Sequence, residues 1–276
     1  MKFAPYSPSK IGLHKQCPRK FKYRYIDRLP SEFIHSEATT KGHILHSLLE
    51  HYSKSLPEKI KKIKTDRDIQ RSEFYNKDLV KECILTYNKF IGTDLGKEIF
   101  SMTNIGNEVF GALDKKLKPT EYHAGNAMYR GKVDSIFVDN DEKEIGLVED
   151  IPEGYELIET GTTKRIQLSN AVIHIIDWKT GRDNSDGQYK QKPDQLLQYA
   201  AWYFNKMPVD TIIIRYVFVE HENAEVQYTL TRDNIDKYNT FLVKGIIGAE
   251  QDTTWKKIEQ PLCNWCEFRD HCINDI

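Results

Sequence analysis

Ile176-Asp177-Trp178-Lys179-Thr180-Gly181 is the stretch on which the reading of this chain turns. Ala171 to Trp178 is a short apolar run rich in isoleucine, which suits a strand buried on both faces. Strand side chains alternate sides, so Asp177 and Lys179 point one way and Trp178 the other. The strand runs out into a glycine-containing loop, which leaves a carboxylate and an ammonium together at a sheet end. A lone Asp-x-Lys is most often a surface ion pair of little energetic value. Its weight here comes from what lies upstream.

Gly131-Lys132-Val133-Asp134-Ser135-Ile136-Phe137-Val138 alternates and ends in Asp139-Asn140-Asp141, as a strand running into a turn should. If the two strands pair, Asp134 and Asp177 meet beside Lys179. Two carboxylates at close range repel unless something neutralises them. A hard divalent cation such as Mg²⁺ or Mn²⁺ does so, because it prefers oxygen ligands. The competing reading is that Asp134 caps a turn or pairs with a lysine.

Outward from these strands the pattern is helical. Ser7-Pro8-Ser9 opens a helix with Ser7 as N-cap and Pro8 in its first turn, with Ile11, Leu13, Phe21 and Tyr25 apolar along it. Thr39 to Leu56 reads as a second helix that Pro57 ends. The stretches from about Glu73 to Phe90 and Asn107 to Leu117 read as helices too. Pro193 starts a helix carrying Leu196, Leu197, Tyr199, Ala200 and Trp202, Thr211 to Glu220 and Glu225 to Leu230 read as strands, and Asp233 to Ala249 as the last long helix. The polar stretch 141–170 reads as a hairpin or an excursion. The sum is an α/β domain with a central mixed sheet flanked by helices. Within it, residues 1–120 are mainly helical, residues 121–230 form a sheet core with an insertion at about 141–170, and residues 231–276 form a C-terminal helix and cysteine region.

At four separated places the residues resemble the RecB-type branch of the PD-(D/E)XK nucleases. These are Gly42-x-x-x-His46, Gly131-x-x-Asp134, Asp177-x-Lys179-Thr180-Gly181 and Gln195-x-x-x-Tyr199, in family order. Many members carry Glu two residues before the lysine, where this chain has Asp177; the branch tolerates either. The resemblance implies a restriction-endonuclease-like core. It also implies that His46, Asp134, Asp177 and the Trp178 carbonyl ligate Mg²⁺ or Mn²⁺, that Lys179 orients water or stabilises charge on the phosphate, and that Gln195 and Tyr199 order substrate or lysine. Gln195 and Tyr199 lie one helical turn apart. The bland alternatives are a packed helix histidine at 46 and core-edge residues at 195 and 199. His14, His43 and His51 read as surface or packing residues.

Five cysteines in a chain without a signal-peptide-like start point to a reducing cytoplasm, and hence to metal or redox use rather than disulfides. Cys263-x-x-Cys266-x₅-Cys272 brings three thiolates close enough to repel unless a metal holds them, and Cys17 supplies a fourth. The arrangement is similar to the iron–sulfur staple of a RecB-like subgroup that includes AddB-type and CRISPR-adaptation nucleases. It implies a [4Fe–4S] cluster clamping the chain ends, with Zn²⁺ as the alternative. Cys83 lies on an apolar helical stripe and reads as a core thiol.

The net charge of −1 gives no global positive field. A DNA surface must come from local patches; Lys59, Lys61, Lys62 and Lys64 form one candidate run and Lys164 with Arg165 another, against the ordinary reading of a solvated face. No helicase phosphate-binding loop is present, so any motor partner is a separate chain. The expectation is a metal-dependent deoxyribonuclease, an exonuclease on single-stranded or end-containing DNA in recombination, repair or CRISPR-adaptation-type processing. The alternative is a non-catalytic, iron–sulfur-stabilised DNA-binding subunit of a recombination complex.

Overall fold

The computed structural model describes residues 3–31, 36–51, 54–139, 158–159, 165–166, 172–180 and 193–274. The helices are α1 (Pro8–Gln16), α2 (Pro18–Tyr25), α3 (Glu37–Glu50), α4 (Leu56–Thr65), α5 (Arg67–Gln70), α6 (Lys77–Gly92), α7 (Asp94–Ser101), α8 (Asp194–Lys206), α9 (Ile235–Gln251) and α10 (Arg269–Asn274). The strands are β1 (Thr103–Asp114), β2 (Pro119–Thr120), β3 (Ala127–Asp139), β4 (Ile158–Glu159), β5 (Arg165–Ile166), β6 (Val172–Lys179), β7 (Thr211–Phe218) and β8 (Glu225–Thr231).

Six strands form one sheet in the order β2-β1-β3-β6-β7-β8. Only β6 and β7 run parallel; the other neighbours are antiparallel, so the sheet is mixed as expected. A βαβ crossover through α8 joins the parallel pair. One face packs Val133, Ile173 and Ile175 against Leu196, Ala200 and Trp202 of α8 and Leu242 and Ile246 of α9. The other packs Phe137, Ile176 and Trp178 against Leu45 and Leu49 of α3 and Phe90 of α6. Trp178 and its neighbour Asp177 therefore do face opposite layers, and β6 is covered on both sides. β4 and β5 pair antiparallel with each other. The rest of 141–170, Lys164 and Gly181 lie outside the described residues.

Three sequence expectations are corrected. Residues 107–117 were expected to be helical, but 103–114 is a long strand, which brings the sheet's start inside the segment expected to be mainly helical. Its apolar spacing fits a helix, yet Gly111 costs a helix interior about 1 kcal/mol, and register with β3 from Thr103 to Asp114 satisfies the backbone instead. The first helix is two helices, broken at Cys17-Pro18: proline has no N–H and disfavours a helical residue before it, and Cys17 is extended (φ −159°, ψ 103°). Pro57 does not follow the α3 helix, which ends at Glu50; it sits in the first turn of α4.

Candidate active site

β3 and β6 pair through Ser135↔Ile176, so Asp134 and Asp177 lie next to each other across the strands. Val133 and Ile136 both join the α8-side core although three residues apart, so strict alternation breaks at Asp134–Ser135. Asp134 is thereby turned towards β6, where its Oδ2 accepts from the Trp178 backbone N–H at 3.0 Å. The Trp178 indole donates to Ser135 Oγ (3.0 Å), and Ser135 Oγ to Asn107 Oδ1 (2.9 Å), which fixes the far side of the same strands.

α3 starts from Ser36, whose hydroxyl accepts from the Thr39 N–H, and brings His46 over this point. His46 Nε2 stands 3.1 Å from the Trp178 carbonyl oxygen, and Nδ1 stands 3.6 Å from Asp134 Oδ2. A separation of about 3 Å is a hydrogen bond, and also the spacing of adjacent ligands about one octahedral hard cation. The close approach of α3 to β6 accounts for Gly42: a Cβ there lies 3.0 Å from Thr180 Oγ1.

Asp177 is turned the other way. Gln195 Nε2 donates to Asp177 Oδ1 (2.8 Å) and to Tyr199 Oη (3.0 Å), and Lys179 Nζ pairs closely with Asp177 Oδ2. Lys179 also lies 4.9 Å from the centre of the Tyr216 ring. Gly131 is explained here too, since a Cβ on it lies 3.0 Å from Tyr199 Cε1 and 3.1 Å from Tyr129 Oη.

Among the described residues, the group of three or more whose ligand atoms all lie within 4.8 Å is His46, Glu50 and Asp134. Asp177 stands beside that group rather than in it, and Glu50 is the residue the sequence reading missed. Its signal was available: Glu50 is four residues after His46, on the same helical face, and the two carry atoms 3.7 Å apart. Glu50 is buried, an unusual place for a carboxylate without a cation.

Burial, with the charge of Asp177 behind it, pushes the Asp134 carboxyl up to about 7. Burial pulls His46 down, but the Glu50 hydrogen bond and the charges of Asp134 and Asp177 carry it above its ordinary value. Burial raises Tyr199 and Tyr216, keeping both phenols protonated. Three carboxylates thus crowd one imidazole and one backbone carbonyl. This oxygen-rich, charge-excess donor set fits a hard divalent cation, and His46, Glu50, Asp134 and the Trp178 carbonyl are the residues that could hold it, with Asp177 adjacent.

Contributed from both chain ends, Cys17, Cys263, Cys266 and Cys272 line one cavity of about 340 Å³, with Arg19 and Lys257 at its wall. Burial raises the Cys272 thiol, and the neighbouring Cys17 and Cys266 add to it against Lys257. The Gln260 backbone N–H lies 3.4 Å from Cys263 Sγ. The two chain ends are also held without any metal: Arg19 Nε donates to the Trp255 carbonyl (2.9 Å), and Phe21 stacks on Trp255 at 5.9 Å. Cys83 is separate and fully buried in the α6-side core, with its thiol pushed up to about 12 by burial. His14 contacts Asp252 at 2.9 Å, away from the site. Lys59 is not on a solvated face; it is 5% exposed, with Nζ 2.5 Å from Tyr87 Oη.

No helix among the described residues is long and apolar enough to cross a membrane. No curated protein matches the chain in sequence. Among solved structures, a candidate exonuclease from Eubacterium rectale is similar at 12% identity, over 96% of this chain and 86% of that one, with a TM-score of 0.46. The protein SSO0001 is similar at 13% identity, over 85% of this chain and 94% of that one, with a TM-score of 0.30. The model of the PD-(D/E)XK nuclease superfamily matches residues 5–273, nearly the whole chain, and the protein belongs to that superfamily.

Proposed function

We propose that this nuclease is a RecB-like deoxyribonuclease dependent on Mg²⁺ or Mn²⁺, an exonuclease acting on single-stranded or end-containing DNA. The observation that carries the reading is the meeting of His46, Glu50 and Asp134 within 4.8 Å, with Asp177 and Lys179 on the adjoining strand end. His46, Glu50, Asp134 and the Trp178 carbonyl would hold the cation, with Asp177 adjacent and turned towards Lys179. When bound, such an ion lowers the pKa of a coordinated water and polarises the scissile phosphate. Lys179 supplies positive charge where negative charge grows on the phosphate, and Asp177 holds its ammonium in place. Gln195 fixes Asp177 through Oδ1, and Tyr199 fixes Gln195. The test is Mn²⁺-dependent cleavage of labelled DNA by the purified protein beside Asp177→Ala and Lys179→Ala. Equal cleavage by all three assigns the activity to a contaminant and removes the reading. End-labelled substrates with blocked and free 5′ and 3′ termini then separate exonuclease from endonuclease action.

We propose further that Cys17, Cys263, Cys266 and Cys272 carry a [4Fe–4S] cluster. The cavity they share supports this. Protein purified without oxygen should be brown with broad absorbance near roughly 400 nm. A colourless preparation with one zinc per chain overturns the cluster and leaves the nuclease reading intact.

A further inference from the structure

Phe110 is 52% exposed on β1, opposite Lys132 in the β1–β3 register. Its ring meets that of Tyr122 edge to face, with centroids 4.9 Å apart and planes at 67°, and Tyr122 meets His123 in the same way at 5.1 Å. Two cations attend the rings: Lys132 Nζ lies 5.8 Å from the Phe110 centroid, and the Arg130 guanidinium 5.4 Å from that of Tyr122. Lys132 is paired with Glu108. Arg130 donates to the Ala124 carbonyl at 3.3 Å, while its buried Nε has no hydrogen-bond partner and no carboxylate pairs with it among the described residues. Tyr122, Arg130 and Lys132 line a cleft of about 600 Å³ whose far wall is Lys179, Gln195 and Tyr199.

We infer that Phe110 and Tyr122, with Arg130 and Lys132, form a platform that stacks an unpaired base and grips its phosphate on the way to the catalytic centre. This deepens the proposed nuclease reading and rests on it for the direction of the strand. The chemistry selects the ligand class. An exposed aromatic face in water gains from covering by another flat ring, and every base offers one once it is unpaired. The adjoining guanidinium carries a positive charge that no carboxylate pairs with among the described residues, and so suits a phosphodiester oxygen. A duplex hides its base faces, so the platform discriminates by strandedness and not by sequence.

The test is binding of an oligothymidylate carrying one 2-aminopurine, measured in EDTA so that no cleavage intervenes. Wild type should bind it and quench the 2-aminopurine. Phe110→Ala should weaken single-strand binding about tenfold and remove the quench, Phe110→Trp should retain both, and duplex binding should change little. Unchanged single-strand binding in Phe110→Ala, or equal loss on both substrates, overturns the platform. So does wild-type protein with no affinity for single strands. Cleavage by wild type with Mn²⁺ is read separately, so the platform can fail while the nuclease stands, and the reverse.

Discussion

Replacing Gly131 by alanine tests whether the glycine of Gly131-x-x-Asp134 serves the site by leaving room. Its added methyl meets Tyr199 Cε1 at 3.0 Å, Tyr199 Cδ1 at 3.2 Å and Tyr129 Oη at 3.1 Å. Both tyrosines are buried, so the ring must shift by a few tenths of an ångström within a packed layer. Overpacking of this kind costs about 1–3 kcal/mol, and loss of glycine's extra freedom in the unfolded chain returns about 0.5–1 kcal/mol. The net is a loss of about 1 kcal/mol, or a fall in Tm of about 2–4 °C for a domain of this size. The functional effect should be larger. Tyr199 Oη holds Gln195, and Gln195 holds Asp177, so the shift passes through two hydrogen bonds of 3.0 and 2.8 Å to a carboxylate at the centre. Since about 1 Å of misplacement can cost about a hundredfold, a few tenths should lower kcat by about tenfold with little change in KM. Urea unfolding and single-turnover cleavage read the two effects. In a Tyr199→Leu background the two ring contacts are gone and only the Tyr129 hydroxyl remains close, so Gly131→Ala should cost clearly less. Additive stability effects in the two backgrounds, or full activity in the single variant, would falsify this account of the motif glycine.

Burial, followed by the Arg215 guanidinium 3.4 Å away, pulls His174 down to about 4. Its folded pKa lies below the unfolded value of about 6.5, so stability is fully present above that pH and is lost as pH falls towards 4. Glu98, Glu225 and Asp139 surround the same pair and do not restore it. The loss approaches about 3 kcal/mol, and His174→Gln should remove this acid-side slope in urea titrations; parallel slopes in the two proteins refute it. Asp134, shifted the opposite way, contributes equally to both. Lys59 is buried against Tyr87, and no carboxylate pairs with it among the described residues, so Lys59→Met should be neutral or raise stability by about 1 kcal/mol by thermal melting. A destabilisation of several kcal/mol would show that the ammonium carries a structural role.

What could be read in the sequence was what is local or repeats along one element. The placing of Trp178 and Asp177 on opposite sides of β6 follows from alternation alone, and the contact of Gln195 with Tyr199 from helical spacing. Asp134 was legible only because a second carboxylate made its charge a problem that needed solving. The 103–114 strand was hidden because Val109, Ala112, Leu113 and Leu117 also lie at helical intervals, and only the pairing with β3 decides between the two. Glu50 was missed because a carboxylate inside a helix expected to run on to Leu56 looks like surface until α3 is seen against β3. The sharing of a side by Asp177 and Lys179 follows from alternation, but the turning of Asp177 towards Gln195 and away from the His46 group is a side-chain matter that no residue spacing expresses. Phe110 belonged to the misread stretch, and its exposure beside Tyr122 depends on a hairpin that the helical reading did not contain.

The most direct measurement is Mn²⁺ binding to purified protein by calorimetry, with electron paramagnetic resonance to count the bound ion. One tightly held Mn²⁺ per chain is expected, its affinity lowered at least tenfold in His46→Ala and Asp134→Asn and reduced in Glu50→Gln. Wild-type and Asp134→Asn proteins that bind Mn²⁺ equally would contradict the assignment of these residues to a common metal centre.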